Sequence, residues 1–295
     1  MDLEMSRHYP QRGMVEWDYR KGELDAATKD YALETCRRVK KSGGLVHGFL
    51  LGRTLEQDDI VWLQQLLRDG HVLGNHTYDH VKLNARTRDT VQSRFRRCPW
   101  LIEGKTPRDA IVDNIRMTER AMQHRLGIAA NGFRTPYGYP NGLMGRQDLQ
   151  EMLLELGYSW VSSQYRQPQD LKKSSPTAAN FAAITRLLSK GQPFVYPSGL
   201  IELPLSPITD VNAFRTRRWK LSEFLTSLTK NLQWTIENLA MFDYCFHPSV
   251  MCIEDPQLKA IELICLAVRK ARGRAAIVDL GSIADNVLER EHANA

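Results

Sequence analysis

The stretch His71-Val-Leu-Gly-Asn-His76-Thr-Tyr-Asp-His80 joins a short apolar run to two histidines that lie four residues apart. The apolar run predicts a buried strand, and the glycine and asparagine that close it predict a turn. On a helical turn, the spacing of His76 and His80 would place both imidazoles on one face, which is a common way to bind zinc. Two unrelated surface histidines are the alternative, and the rest of the chain decides between the two.

Segments on both sides of this stretch alternate between strand and helix patterns. The first 80 residues read β-α-β-α-β, which predicts parallel strands joined by right-handed helical crossovers. About seven such strands suit an α/β barrel or an open wound sheet. The signals are weak over residues 164–198, apart from one helix. We predict strands at 14–19, 45–51, 71–75, 129–134, 158–162, 200–205, 243–247 and 275–280, and helices at 25–42, 56–69, 107–126, 147–156, 178–189, 221–239, 256–272 and 282–290.

The composition is that of an ordinary globular protein and limits the partners to be expected. The formal net charge is +6 over 295 residues, but the basic residues form no run of five or six. We therefore interpret them as solvated faces and expect no nucleic-acid partner. No signal-peptide pattern and no apolar run of membrane-spanning length occurs, which predicts a cytoplasmic protein without membrane contact. Residues 1–12 are predicted to be a polar tail, and residues 13–295 a single catalytic domain.

Polar residues with catalytic chemistry fall at the predicted carboxyl ends of four strands. They are Asp18, the pair His76 and His80, Arg134, and His247. In α/β folds this edge is where ligand-binding and catalytic groups collect. A metal on the two histidines would polarise a carbonyl, Asp18 would accept a proton from water, and His247 would return a proton to the leaving group. Together these residues predict metal-assisted hydrolysis of an amide or an ester.

The same residues resemble the motifs of a known family. His76-Thr-Tyr-Asp-His80 is similar to the H-(S/T)-x-x-H motif of NodB-homology polysaccharide deacetylases (carbohydrate esterase family 4), and Arg134-Thr-Pro-Tyr137 is similar to their R-x-P-Y/F motif. Phe246-His247-Pro resembles the final histidine motif, and the resemblance extends over roughly residues 14–285. It implies a distorted (β/α)7 barrel, a divalent metal such as zinc, and hydrolysis of a non-peptide C–N amide bond, foremost the N-acetyl group of a carbohydrate.

The resemblance also implies a role for each matching residue. His76 and His80 would be metal ligands, and Arg134 would orient the catalytic carboxylate. The backbone N–H of Tyr137 would help to hold the oxyanion, and His247 would be the general acid. The implied substrate is a carbohydrate or a small amide, and the implied cofactor is a divalent metal, zinc first among them.

The first motif of the family, T-F-D-D, has Glu16-Trp-Asp18-Tyr19 as its counterpart in this interpretation. One alignment makes Asp18 the base and puts Tyr19 at the ligand position; a shift by one makes Asp18 the ligand and leaves no base. Asp79 or Asp243 would then have to supply the second carboxylate. Two other functions therefore stay open: a deacetylase-fold module that binds a glycan or a protein without catalysis, and a cytoplasmic small-amide hydrolase of the allantoinase-like subgroup.

Overall fold

The computed structural model describes residues 1–6, 20–168 and 175–294. Its strands are β1 (Asp2–Leu3), β2 (His47–Leu50), β3 (Val72–Asn75), β4 (Phe133–Tyr139), β5 (Trp160–Gln164), β6 (Phe194–Val195) and β7 (Ile201–Glu202). They form one sheet in the order β1-β2-β3-β4-β5-β7-β6. Neighbouring strands are parallel, except that β6 runs antiparallel to β7. Parallel strands whose order follows the chain are those of a singly wound α/β fold.

Helices connect and flank these strands. A 3₁₀ helix lies at Gly52–Glu56, another at Pro99–Ile102, and one π-helical turn at Val211–Thr216. The α-helices are α1 (Ala26–Lys41), α2 (Val61–Arg68), α3 (Arg88–Val91), α4 (Ser93–Arg97), α5 (Pro107–Leu126), α6 (Gln147–Glu155), α7 (Ala178–Lys190), α8 (Leu221–Asn238), α9 (Pro248–Glu254), α10 (Lys259–Lys270) and α11 (Leu280–Asn294). Most of the predicted helices are therefore confirmed to within a few residues at each end.

The ends of α5 show why the sequence signals for helices succeeded. The Thr106 side chain accepts a hydrogen bond from the Asp109 N–H (3.2 Å), and the Asp109 carboxylate accepts one from the Thr106 N–H (3.0 Å). Pro107 occupies the first turn, where a missing N–H costs nothing, and Gly127 ends the helix with φ +69°. The backbone groups that a helix leaves unpaired at its ends are thus partly satisfied by residues close in sequence.

The N-terminal residues form a strand and not the polar tail predicted for residues 1–12. Asp2 and Leu3 are buried, and they pair in parallel with the second half of β2. The prediction was wrong for residues 1–3 because β1 is only two residues long and has no apolar run to mark it in the sequence.

The predicted strand at 243–247 is an extended segment that closes the barrel without regular strand pairing. On one side the Asp2 N–H in β1 donates to the Phe246 carbonyl (2.9 Å). On the other side the Ser206 N–H, just beyond β7, donates to the Asp243 carbonyl (3.2 Å). Regular pairing does not develop here because β1 and β7 each offer only two residues. The segment links β1 to the far side of the sheet, and the fold is the distorted (β/α)7 barrel that was predicted.

Two other predicted strands have different outcomes. Residues 275–280 are not a regular strand: the Leu45 N–H, just before β2, donates to the Ile277 carbonyl (3.0 Å), and Leu280 already begins α11. The strand predicted at 14–19, with the candidate base Asp18, lies outside the described residues.

The core fills the space between the sheet and its helices. Leu3 of β1, Leu50 of β2 and Leu63 of α2 are fully buried in one cluster, where the apolar face predicted for α2 packs. Each such side chain contributes about 1.5–3 kcal/mol on burial. None of the helices in the described part of the chain combines the length and apolarity needed to cross a lipid bilayer.

Candidate metal and catalytic site

A carboxylate and two imidazoles converge just beyond the ends of β1 and β3. The Glu4 Oε1 atom lies 3.3 Å from His76 Nε2 and 3.1 Å from His80 Nε2. The three ligand atoms lie within 4.8 Å of one another, and both histidines are buried. One carboxylate oxygen and two imidazole nitrogens form a donor set that suits zinc and similar divalent ions. The structure thus brings together the two histidines that were predicted as ligands and places beside them a carboxylate, Glu4, which sequence reasoning missed.

A strained loop, not a helix, brings the two histidines together. Residues 76–80 follow β3 as a loop in which Thr77 (φ +63°) and His80 (φ +60°) adopt the left-handed conformation. The Asn75 side chain fixes the first turn by accepting from the Thr77 N–H (2.8 Å), and the ring centroids of His76 and His80 lie 5.2 Å apart. The helical geometry considered for this spacing was therefore wrong, although the two imidazoles do meet.

Asp2 and Glu4 share one side of the N-terminal segment because side chains alternate along an extended chain. Leu3, between them, is fully buried in the core, whereas both acids point into the site. The family pattern led us to look for adjacent acids, but here they are separated by one residue. The sequence signal that could have found them is an apolar residue flanked by two acids, which places both carboxylates on one face of a strand.

Arg134 is a buried cation that holds two carboxylates. Its Nη1 atom donates to Asp2 Oδ1 (2.9 Å), and its Nη2 atom donates to Asp243 Oδ2. Its Nε atom lies 3.3 Å from Ser162 Oγ, and its guanidinium lies over the Phe49 ring, 4.2 Å from the centroid. The Arg134 carbonyl faces His76 Nδ1 at 2.9 Å, so this one residue contacts both halves of the site. Arg134 was predicted to orient the catalytic carboxylate, for which the sequence analysis considered Asp18; the carboxylates that Arg134 contacts in the structure are Asp2 and Asp243.

His247 is held on the opposite side by an acid that the sequence did not reveal. The fully buried Asp210 accepts from His247 Nδ1–H (3.0 Å) and from the His247 backbone N–H (2.6 Å). The other ring nitrogen, Nε2, lies 3.4 Å from Glu4 Oε1 and 4.0 Å from Asp2 Oδ2. Asp210 follows β7 without any recognisable motif, so only the fold could place it beside His247.

Burial and neighbouring charges set the protonation of these groups. Burial by itself would raise the pKa of Asp2, but Arg134, His76, the N-terminal ammonium and His247 together outweigh it and lower that pKa below its usual range. Burial is likewise outweighed at Glu4, where His80 and Lys21 lower the pKa well below the ordinary value. The site therefore has two ionised carboxylates.

The pKa values of His80 and His247 are shifted in opposite directions. Burial lowers the pKa of His80 to about 4, so the ring is neutral near pH 7, the form that can bind a metal. Burial would also lower the pKa of His247, but Asp210 and then Glu4 raise it well above the ordinary value. His247 is therefore protonated at neutral pH.

Lys21 is a buried cation on the far side of Glu4. Its Nζ atom forms an ion pair with Glu4 Oε2, while Oε1 faces the histidines. The pair forms because the Gly22 N–H donates to the Glu4 carbonyl (2.6 Å), which brings the two segments side by side. Gly22 has φ +93°, and a Cβ there would lie 2.5 Å from the Arg53 Cβ, so glycine is required at this turn.

The other residues that the sequence analysis considered for the site differ in their distance from the histidine pair. Tyr137 has φ +64°, and its ring centroid lies 4.9 Å from that of His80. Asp79, considered as a second carboxylate, instead pairs with Arg94 (Oδ1 to Nη1, 2.5 Å). Asp243, the other acid considered, contacts Arg134 and not the histidine pair. Asp18 lies outside the described residues.

Comparisons with known proteins agree with this fold. Residues 24–159 match the family model described as polysaccharide deacetylase. The structure resembles one from Mycobacterium smegmatis assigned to the polysaccharide deacetylases, with a TM-score of 0.60 and 16% identity over 90% of this chain and 78% of that chain. At this identity the likeness concerns the fold alone. A comparison with curated proteins gave no match.

Two further structures resemble the chain less closely, with TM-scores below 0.5. One is a wild-type carbohydrate esterase family 4 pseudoenzyme from Bacillus anthracis (TM-score 0.43, 12% identity, covering 86% of this chain and 60% of that chain). The other is the peptidoglycan deacetylase PdaC from Bacillus subtilis (0.44, 14%, covering 92% and 89%).

The fold and the family match together indicate an α/β barrel of the NodB-homology type. Within that class, residues 24–159 match the polysaccharide deacetylase family, which the sequence motifs also indicated.

Proposed function

We propose that this protein is a metal-dependent hydrolase that removes the N-acetyl group from a carbohydrate. The observation that carries the proposal is the convergence of Glu4, His76 and His80, with ligand atoms within 4.8 Å of one another. Asp2 and His247 lie beside this group, each held by a buried partner of opposite charge. An anionic base and a cationic acid next to one cluster of ligands are what amide hydrolysis requires.

The donor set fits a divalent metal. Because a carbonyl can only accept a hydrogen bond, His76 Nδ1 carries a proton toward the Arg134 carbonyl, and Nε2 is left as the ligand atom facing Glu4. Glu4, His76 and His80 would hold the ion, for which we propose zinc. When bound, zinc would act as a Lewis acid that polarises the acetyl carbonyl and favours ionisation of the attacking water.

The other residues handle the protons. Asp2, kept ionised and oriented by Arg134, accepts a proton as water attacks the acetyl carbon. The backbone N–H of Tyr137 stabilises the resulting oxyanion. His247, kept protonated by Asp210, donates a proton to the sugar nitrogen as the C–N bond breaks, so that acetate and a free amine leave. Asp2 takes the role that the sequence analysis gave to Asp18.

One of the two alternatives from the sequence, the binding module, loses the argument that motivated it. A binding module without catalysis was considered because the first motif offered one acid where two are needed. Asp2 and Glu4 supply both. No contact in the described residues favours a small amide over a sugar.

The test is acetate release from an N-acetylglucosamine oligomer by the metal-free protein and after addition of zinc. Zinc-dependent release that disappears in the His76→Ala, His80→Ala double variant is the expected result. His124→Ala, an exposed histidine on α5, is the matched control and should keep both zinc and activity. A wild-type protein that binds zinc stoichiometrically but releases no acetate from this oligomer or other N-acetylated sugars would contradict the proposal.

A further inference from the structure

Residues 82–105, which we call the basic rim, form a positively charged segment directly after the histidine pair. It contains seven Lys and Arg residues but only two acids, a net charge of +5 against +6 for the whole chain. Other basic clusters, such as residues 215–220 and 269–274, lie elsewhere in the chain, so the rim is distinguished by its position and not by its charge alone.

The fold places the basic rim beside the candidate catalytic residues. It begins two residues after His80 and belongs to the connection between β3 and α5, which lies at the carboxyl ends of the parallel strands. The Gln92 side chain donates to the Asp79 carbonyl (2.7 Å) and to the His80 carbonyl (3.2 Å). Phe95 is buried in the core below, so the segment is anchored from both sides.

Four of its cations are available for a ligand. Lys82, Arg86, Arg88 and Arg96 are exposed, and no carboxylate in the described part of the chain lies within 4 Å of any of them. They occur at separate positions along the rim and its two short helices, not at one point. The Trp100 side chain is 66% exposed in the same segment and offers a flat apolar face.

We propose that the basic rim binds an acidic saccharide chain, so that the substrate class is an N-acetylated glycan with repeated carboxylate groups. The inference rests on the proposed function and names the substrate of that same site. Separate cations suit separate anionic groups along a chain, because guanidinium groups bind carboxylates through paired hydrogen bonds. Attachment of the rim to the His80 loop favours a substrate over a membrane surface or a nucleic acid as the ligand.

Binding measured on the metal-free protein tests this without requiring catalysis. One probe is an oligosaccharide in which N-acetylglucosamine alternates with glucuronic acid; the other is a neutral N-acetylglucosamine oligomer of the same length. The rim variant combines Lys82→Gln, Arg86→Gln, Arg88→Gln and Arg96→Gln. The matched control combines Arg269→Gln, Lys270→Gln, Arg272→Gln and Arg274→Gln, four exposed cations in the last turn of α10 and just after it, where helices return to the opposite face of the barrel.

The wild-type protein should bind the acidic oligomer about tenfold more tightly than the neutral one at low salt. This preference should shrink between ionic strengths of about 0.01 M and about 0.15 M, where the Debye length falls from about 30 Å to about 8 Å. The rim variant should lose the preference, and the control should keep it. Circular dichroism confirms that both variants are folded.

Three results would overturn the proposal. They are equal affinities of the wild-type protein for the two oligomers, no measurable binding of the acidic oligomer, and an equal loss of preference in the control variant. If the rim variant instead loses affinity only for anionic lipid vesicles or for duplex DNA, the surface serves another partner. Because no step of this test involves acetate release, its result is separate from that of the proposed deacetylation.

Discussion

Two buried histidines lie at opposite ends of the neighbouring strands β2 and β3, and they differ in what their second ring nitrogen contacts. His47 Nε2 faces the Asn131 carbonyl (2.9 Å), and its Nδ1 accepts from the Leu280 N–H (3.2 Å). His76 Nδ1 also faces a backbone carbonyl at 2.9 Å, but its Nε2 faces the carboxylate of Glu4. A histidine with both nitrogens bound to backbone is structural, whereas one whose second nitrogen faces a carboxylate can hold a metal.

Exchanging each histidine for leucine should separate the two roles. His76→Leu should lower kcat/KM for deacetylation by at least about 10³-fold and abolish zinc retention, because a ligand atom is removed. His47→Leu should leave zinc content and kcat/KM unchanged and lower the free energy of unfolding by about 1–3 kcal/mol, because a buried N–H and a buried carbonyl lose their partner. Zinc analysis, steady-state kinetics and urea unfolding measure these effects. Equal losses of activity in both variants would remove the distinction.

Substitution of Arg134 tests how much the buried ion pairs at the catalytic end of the barrel contribute to the stability of the protein. Arg134→Met should lower the free energy of unfolding by about 3–5 kcal/mol, because it leaves Asp2 and Asp243 as buried carboxylates without their cation. Arg108→Met is the matched control: its ion pair with Glu155 is exposed, so its loss should cost less than about 1 kcal/mol. Unfolding curves that show the same small loss for both variants would contradict the account.

The pH dependence of an Asp210 variant tests whether Asp210 keeps His247 protonated as the general acid. Because Asp210 raises the pKa of His247, Asp210→Asn should let that pKa fall toward or below about 6.5. His247 must be protonated to act, so the alkaline limb of the kcat/KM profile should move to lower pH and the rate at neutral pH should fall about 10–100-fold.

The same shift also affects stability. The pKa of His247 is higher in the folded protein than in the unfolded chain, so its protonation stabilises the folded state. This stabilisation is complete below about pH 6.5, the ordinary pKa of histidine, and it is lost as the pH rises through the folded-state pKa. Asp210→Asn should therefore flatten the decline in stability above that pH. Asp148→Asn, which removes an exposed partner of Arg146, is the control and should change neither curve. An alkaline limb that does not move would exclude Asp210 as the support of His247.

Lys21→Met should have the smallest effect of these substitutions. The loss of stability should be visible mainly in the metal-free protein. Lys21→Met removes the cation from Glu4, so the metal-free protein should lose about 1–2 kcal/mol, which corresponds to a melting temperature lower by roughly 2–8 °C. Zinc should then raise the melting temperature more than in the wild type, because the ion replaces the lost positive charge. Lys29→Met, whose partner Asp59 is exposed, is the control. An equal zinc-induced rise in both variants would contradict this role.

The sequence predicted the parts of this site that lie on well-marked strands. Residues 72–75 form β3 as predicted, so His76 and His80 could be placed at a sheet edge, and Arg134 and His247 likewise lie in the site. The chain order of strands and helices was sufficient for the barrel, because parallel strands with right-handed crossovers leave few arrangements.

The missed residues lie where local sequence has little signal. Asp2 lies in a two-residue strand, and Glu4 directly follows it; this strand is stabilised by its neighbours β2 and 243–247 and not by its own apolar pattern. Asp210 contacts a residue 37 positions away, and the Glu4–Lys21 pair forms across 17 positions. Such contacts depend on the closure of the barrel, which no periodicity in the sequence encodes.

The left-handed residues around the histidine loop have a consequence for evolution. Thr77, His80 and Tyr137 adopt a backbone conformation that costs a non-glycine residue about 1–2 kcal/mol each. Selection for thermal stability alone should therefore enrich glycine or asparagine at positions 77 and 137, since these residues adopt the conformation at lower cost. The same substitutions would loosen the loop that aims two imidazoles at Glu4. Positions 77 and 137 are thus places where gains in heat resistance would come with losses in metal affinity or turnover.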